Sequence, residues 1–349
     1  MVAFSACGTP AAPTTSAPPA APATTAPAAT SATSAPAAQI VVGLVTKTET
    51  NPFFVKMRQG ASDEADKLGV KLMTGAGAQD GDNEGQVTAI QNMVAAGAKG
   101  ILLTPSDSKA IVPTIQQVRS QGVVVIALDT ALDPQDASDA LFATDNFQAG
   151  VLIGQWAAKA MAGKTPVIAT MDATPGVTVG AQRHNGFLTG MGLVTGYDKT
   201  KTDYAPAKEV VCSGDTKGDQ SLGQTVMENC LAKNKDINLV YSINEPAGFG
   251  ASTALKNAGL DKKVTIVTVD GSCKGNQGVK DGVFAANSMQ FPLKMASMGV
   301  DAIVKAVKDG AKPSGYTDTG VTLITDKAQA GVDSKDSTWG ADNCWGTVS

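Results

Sequence analysis

Asp129, Asp270, Asn51, Asn244 and Gln290 share one feature of placement: each stands at or just past the end of a short apolar, β-branched run. Lys47 stands directly after the same run as Asn51, and Thr104 stands after a further one. Thr130 follows Asp129, and two adjacent rings, Phe53 and Phe54, come just after Asn51. Such a set suits a ligand that is itself rich in hydroxyls. Each ligand hydroxyl both donates and accepts, so one carboxylate or amide bridges two neighbouring hydroxyls, and charged partners make the stronger bonds. Aromatic faces can cover the C–H faces of a sugar ring. Taken singly, an Asp or Asn after a strand is more often a helix N-cap than a ligand contact. Several of them converging on one cleft are harder to explain that way.

The same residues offer little for covalent chemistry. His184 is the sole histidine, and no G-x-S-x-G nucleophile motif exists to use it as a base. It is expected on a helix surface or a cleft wall. Gly75-Ala76-Gly77 with Gly81 lacks the spacing of a dinucleotide fingerprint. Asp80, Asp82, Glu84 and Gly85 imitate the start of a calcium loop, but its twelfth position is Gln91 inside an expected helix. The reading is therefore a binding protein and not an enzyme, with no cofactor and no metal.

The elements that must position these residues begin at residue 40. Strands are expected at 40–45, 70–74, 100–104, 123–128 and 141–143, with helices at 52–68, 83–96 and 108–121 between them. Asn51-Pro52 supplies an N-cap and a proline at the first helical position. The rhythm then restarts, with helices at 146–162, 178–191, 219–233, 247–258 and 274–281. Strands at 166–171, 208–212, 238–243, 264–269 and 283–288 alternate with them, and a helix at 292–308 and a strand at 320–324 close the series. Continuous apolar strands separated by helices mean parallel sheets covered on both faces. There are too many strands for one such sheet, so the fold class is α/β with two doubly wound lobes in tandem. In an open parallel sheet, ligands bind beyond the carboxyl ends of the strands, which is where the polar residues above stand.

A formal net charge of −4 and the lack of any Lys/Arg run argue against a nucleic-acid partner. No stretch is apolar for long enough to span a bilayer. Residues 8–38 are almost entirely Ala, Pro, Thr, Ser and Gly, without charge or periodicity. Such a segment cannot bury enough apolar surface to offset its ordering entropy and is expected to be a disordered tether. Phe4-Ser5-Ala6-Cys7-Gly8 resembles the end of a bacterial lipoprotein signal, with Cys7 as the lipidated residue and Phe4 where Leu is usual. The basic and long apolar parts of such a signal do not precede it, so either the start is truncated or the sequence is an engineered form. The other cysteines, Cys212, Cys230, Cys273 and Cys344, form no CxxC pair. Two disulfides in an oxidising compartment or four buried thiols are both open. Of the three possible pairings, Cys212–Cys230 and Cys273–Cys344 are favoured.

Beyond these physical signals, the chain resembles a known family. Thr50-Asn51-Pro52-Phe53-Phe54, Leu102 to Ser108, Ala127-Leu128-Asp129, Asn244-Glu245, Val269-Asp270-Gly271 and Met289-Gln290-Phe291-Pro292 look like the ribose-binding group of type I periplasmic binding proteins. The likeness covers residues 40–325 with the motifs in order. Lys47 to Phe54, Arg183-His184-Asn185-Gly186-Phe187 and Cys344-Trp345-Gly346 are most similar to the fructose-binding branch. The resemblance implies that Asn51, Asp129, Asn244, Asp270 and Gln290 hydrogen-bond a sugar flanked by Phe53 and Phe54. Ribose binders have Arg where Thr130 stands, Asn at Thr104 and Arg at Ala181, so a different hydroxyl pattern is expected, with Lys47 or Arg183 as replacement donors. The implied architecture is a tether (1–38), a first lobe (39–144 plus 290–320) and a second lobe (145–289 plus 321–349), joined by a three-strand hinge. The implied role is that of a monomeric, extracytoplasmic, lipid-anchored component that binds a monosaccharide and presents its closed form to the membrane permease of an ABC importer. A sensor that presents the same closed form to a chemoreceptor or sensor kinase is the alternative.

Overall fold

Alternation within the apolar runs decides which helices cover which face. In the computed structural model, which describes residues 12–16 and 39–348, the first half of the chain forms β1 (Val41–Thr46), α1 (Pro52–Leu68), β2 (Lys71–Ala76), α2 (Asn83–Ala95), β3 (Gly100–Leu103), α3 (Val112–Ser120), β4 (Val124–Leu128) and β5 (Ala140–Ala143). Then follow α4 (Asn146–Ala160), β6 (Ile168–Asp172), α5 (Thr178–Gly190), β7 (Val210–Asp215), α6 (Gln220–Lys233), β8 (Leu239–Ser242), α7 (Glu245–Asn257), β9 (Thr265–Asp270), α8 (Cys273–Lys280) and β10 (Ala286–Met289). The chain closes with α9 (Pro292–Asp309), β11 (Gly315–Asp318), β12 (Thr322–Ile324) and α10 (Ser337–Asn343). Cys7 lies outside the described residues.

Two six-stranded sheets result, in the orders β2-β1-β3-β4-β5-β11 and β7-β6-β8-β9-β10-β12. Every strand pair is parallel except β10 with β12. Side chains alternate across a strand. Val42, Leu44, Leu102, Ile126 and Leu128 therefore pack with α1 and α9 on one face, while Val45, Ile101, Leu103 and Val125 pack with α2 and α3 on the other. The second sheet repeats the scheme, with α4 and α5 on one face and α6 and α7 on the other. Both faces being covered explains why the strands read as unbroken apolar runs. The fold is that of two doubly wound α/β layers in one chain.

The chain passes between the sheets three times: at residues 144–145, at 290–291, and between β11 and β12. Two of these passages are tied together, since the Thr144 hydroxyl donates to the Gly320 carbonyl at 3.0 Å. Helices α4 and α5 meet backbone to backbone, and a Cβ at Gly150 would collide with the carbonyl oxygen of Arg183. That close approach carries Arg183 to the first passage. Disulfides join Cys212 to Cys230 and Cys273 to Cys344, so the four-thiol alternative falls.

Four local expectations are corrected. α3 starts at Val112 and not at 108, because Asp107 Oδ1 accepts from the backbone N–H of Lys109 and Ala110 and holds a turn ahead of Pro113. β10 starts at Ala286 and not at 283, because the N–H groups of Val283 and Phe284 close the end of α8 on the Gly278 carbonyl. β11 was not expected; it is a four-residue edge strand of half-exposed side chains. α10 was not expected either, being seven residues capped by Asp336 and fastened by the Asn276 side chain.

Candidate functional site

Strand order places a crevice at each switch point, between β1 and β3 in one sheet and between β6 and β8 in the other. Ligands in doubly wound sheets sit at such points, outside the carboxyl ends. Here the carboxyl ends of both sheets border one small cavity. Lys47, Asn51, Phe53, Phe54, Asp129, Arg183, Asn244, Asp270 and Gln290 all line it, joined by Asp80. Thr104 and Thr130 do not.

Arg183 organises the centre. Its Nε donates to Asn146 Oδ1 at 2.8 Å and one terminal nitrogen donates to the Ile243 carbonyl at 3.0 Å. The other terminal nitrogen reaches Gln290 Oε1 at 3.1 Å and Asp129 Oδ1 at 3.4 Å. Gln290 passes the connection on, since its Nε2 donates to Asp270 Oδ1 at 2.9 Å. One guanidinium thus links the strand ends of both sheets. Asp129 is held at φ +62, a left-handed conformation uncommon for Asp, and its second oxygen accepts from the Thr130 hydroxyl at 2.8 Å. Thr130 therefore acts on Asp129 from behind. Thr104 turns its hydroxyl to Met57 Sδ at 3.4 Å, and its carbonyl accepts from Gln86.

The aromatic wall is built on the start of α1. Asn51 caps that helix by accepting from the Phe53 N–H at 3.0 Å. Phe53 and Phe54 pack edge to face at 5.5 Å, and Trp345 packs edge to face on Phe53 at 5.7 Å. The Trp345 indole N–H is shared by the carbonyls of Gln290 and Asp270 at 2.9 and 3.2 Å. At the sequence level Trp345 counted only towards a family branch, and its packing role carried no local signal. Asn244 caps α7 by accepting from Ala247 N–H at 3.1 Å, and its amide donates to the Gly218 carbonyl. So Asn51 and Asn244 are N-caps and also line the cavity.

His184 is buried, on the wall of a second cavity with Asp172 and Tyr204 and not on a helix surface. Its ring nitrogens stand 2.8 Å from Asp172 Oδ1 and 3.1 Å from the Ala205 carbonyl. Two acceptors favour the doubly protonated ring. Burial works against that form, but the bonds to Asp172 and Ala205 outweigh it and raise the pKa.

Beneath Asp270 lies Glu245, the first residue of α7. Its Oε1 accepts from the N–H groups of Gly271 and Ser272 and from the Asn287 amide at 2.7–3.0 Å, and Oε2 meets the Ser272 hydroxyl. Burial, with the nearby Asp270 charge, pushes the Glu245 carboxyl up to about 8, against the pull of these donors. Burial likewise lifts Asp270 to about 6, although Arg183 opposes it. A carboxyl that holds its proton more tightly when folded favours the fold fully below its ordinary value of 4.5 and loses that advantage as pH rises towards 8. Stability should therefore fall steadily as pH rises through this range. Glu245→Gln, which keeps the shape without the charge, is expected to flatten this decline relative to wild type. Glu245→Ala should instead cost several kcal/mol at every pH, because it leaves buried donors unpaired at about 1–3 kcal/mol each. Urea midpoints measured across that pH range compare the three proteins; parallel wild-type and Glu245→Gln curves would sink the assignment.

Comparison with known proteins agrees with this architecture. Residues 42–312 match the periplasmic binding protein domain. The ribose import binding protein of Salmonella typhimurium is 30% identical over 269 residues, spanning 76% of this chain and 84% of that protein. The galactofuranose-binding protein of Escherichia coli is 30% identical over 285 residues, spanning 79% and 85%. Among solved structures, a periplasmic solute-binding protein of an ABC transporter from Actinobacillus succinogenes, with bound D-allose, superposes with a TM-score of 0.71 at 27% identity, covering 82% of this chain and 98% of that one. These relatives are solute-binding proteins, not enzymes. With its two parallel sheets, its three passages between them and its cavity at the strand ends, the chain belongs to the periplasmic binding protein family, in the ribose-binding group of the type I fold.

Proposed function

We propose that the protein is the extracytoplasmic sugar-binding component of an ABC importer and that it captures one neutral monosaccharide, fructose first among candidates, in the cavity between its sheets. The observation that carries the reading is the convergence of Asp129, Asp270, Arg183, Asn244 and Gln290 with Phe53 and Phe54 on one small cavity. Its small size suits one sugar ring better than a longer glycan. Three carboxylates (Asp80, Asp129, Asp270) against two cations (Lys47, Arg183) disfavour sugar phosphates and sugar acids. Both disulfides suit an oxidising compartment. Cys7 and the tether would hold the domain at the membrane.

Binding proceeds by hinge closure between lobes formed by residues 39–144 plus 290–320 and 145–289 plus 321–349. The sugar favours the closed form by bridging groups of both lobes, and the membrane permease reads that form. The preference for fructose over ribose rests on the branch motifs and on how Asp129 is satisfied. Arg183 and Thr130 already serve it, without the extra arginines that ribose binders carry at Thr130 and Ala181. The pocket is then roomier and favours a ketohexose. A site built for particular hydroxyls rejects analogues that leave its own groups unpaired. Calorimetric titration with D-fructose, D-ribose, D-allose and D-galactose tests the reading. Fructose should bind at least about tenfold more tightly than ribose, a gap of about 1.4 kcal/mol. Equal affinities or a preference for ribose would remove the fructose assignment, and no binding by any sugar would remove the function.

A further inference from the structure

We propose that Asp80, held beside Lys47, is a direct ligand contact that reads a sugar hydroxyl on the β1–β2 side of the cleft, away from the Asp129–Arg183–Asp270 group. The assignment rests on the monosaccharide reading above and adds a recognition group to it. Asp80 lies in the loop between β2 and α2, and β2 pairs with β1, the strand that ends just before Lys47. The loop therefore reaches the cavity beside Lys47, at the edge of the first sheet.

The other cavity carboxylates are occupied. Asp129 is taken up by Thr130 and Arg183, and Asp270 by the Glu245 N–H and the Gln290 amide. Asp80 differs. Its side chain is only 12% exposed, and its Oδ1 is shielded from solvent without a hydrogen-bond partner among the described residues. Lys47 Nζ stands 3.8 Å from that oxygen, close enough for charge attraction but too far for a hydrogen bond. A buried carboxylate oxygen without a donor is costly and uncommon. Burial accordingly raises the Asp80 pKa, with Lys47 opposing and Asp129 and Asp215 adding to the rise. A ligand hydroxyl that donates to Oδ1 supplies what is missing, and Lys47 draws the carboxyl towards its charged form, the stronger acceptor.

The loop is also fixed in place, as a recognition group must be. Asp82 accepts from the Ala78 and Gly85 N–H groups and pins the turn. From the other sheet, Lys217 Nζ donates to Gln79 Oε1 at 3.1 Å. Gly218, at φ +61, leaves room where a Cβ would come 3.7 Å from Asp80 Oδ2 and 2.7 Å from Asn244 Nδ2. Asp80 is thus clasped between loops of both sheets, and a bond from ligand to Asp80 strengthens closure.

Calorimetry on Asp80→Asn, with D-fructose, D-ribose, D-allose and D-galactose as probes, tests the assignment. The sugar that wild type binds best should lose at least about tenfold in affinity. The ligand-free variant should stay folded at the titration temperature, its melting point lowered only by the lost attraction to Lys47 at 3.8 Å; a merely structural Asp80 predicts affinity lost in step with folding. Monodeoxy analogues of that sugar give the sharper readout. For one of them, the one lacking the hydroxyl that Asp80 reads, wild type and variant should bind equally weakly. Unchanged affinity in Asp80→Asn, or the same loss for every analogue, overturns the assignment while sugar binding itself stands. Wild-type protein that binds none of the four sugars overturns the monosaccharide reading and this contact with it.

Discussion

Arg183→Met should abolish detectable sugar binding and cost about 3–5 kcal/mol of stability, the usual penalty for removing one partner of a buried charged network. Methionine replaces much of the apolar stem, so the loss falls on the polar head. Four acceptors lose a donor at once: Asn146 Oδ1, the Ile243 carbonyl, Gln290 Oε1 and Asp129 Oδ1. Asp129 and Asp270 also lose the nearest compensating cation, and the orientation of Gln290 on Asp270 is released. Arg183→Lys keeps the charge but not the planar fork, which serves three directions here and which an ammonium on a flexible stem cannot reproduce. It should fold better than Arg183→Met and bind sugar more weakly than wild type. Urea denaturation and calorimetry on the three proteins decide it. A methionine variant with wild-type stability and affinity within about twofold would mean that the guanidinium is a bystander.

The strands were legible because two-sided burial leaves an unmistakable mark. Leu102-Leu103 and Val125-Ile126-Ala127 must be apolar at every position when helices cover both faces. The polar residues at their carboxyl ends were legible for the same reason, since they stand where burial stops. Elements whose order comes from tertiary contact left no such mark. β11 is a half-exposed edge strand that pairs only with β5, and α10 is a single short helix held by its cap, by Asn276 and by the Cys273–Cys344 bridge. Thr104 and Thr130 follow strands as expected, but one residue's register decides which side of a loop faces the cavity, and their hydroxyls turn to Met57 and Asp129. Asp80 carries no such mark, because its likeness to a calcium loop fails at Gln91 and Gly-rich acidic loops are ordinary turn chemistry. Only the spatial neighbourhood of Lys47 marks it out.

Opening the Cys273–Cys344 bridge by Cys273→Ser with Cys344→Ser should lower both stability and sugar affinity, whereas opening Cys212–Cys230 in the same way should lower stability alone. The chain-entropy argument sets the scale. The two bridges close segments with sequence separations of 71 and 18 residues, which correspond to about 4 and about 3 kcal/mol of lost denatured-state freedom. The difference in affinity comes from position. Cys344 precedes Trp345, whose indole N–H holds the carbonyls of Asp270 and Gln290 and whose ring supports Phe53. The Cys273 N–H donates to the Trp345 carbonyl at 2.8 Å, so disulfide, short bridge and indole fasten the tail beside the cavity residues Phe53, Asp270 and Gln290 as one unit. Without the covalent tie, Trp345 samples other positions, Asp270 and Gln290 lose a shared restraint, and a cost formerly met during folding falls on ligand binding. About tenfold weaker binding is the expected reading, a shift of about 1.4 kcal/mol. Cys212 and Cys230 instead join β7, an edge strand, to α6, and neither lines the cavity. Thermal melts and sugar titrations on both double variants separate the two effects. Equal affinities in the two would show that Trp345 is held without the bridge, and a larger affinity loss on opening Cys212–Cys230 would place the coupling at the β7 edge of the second sheet.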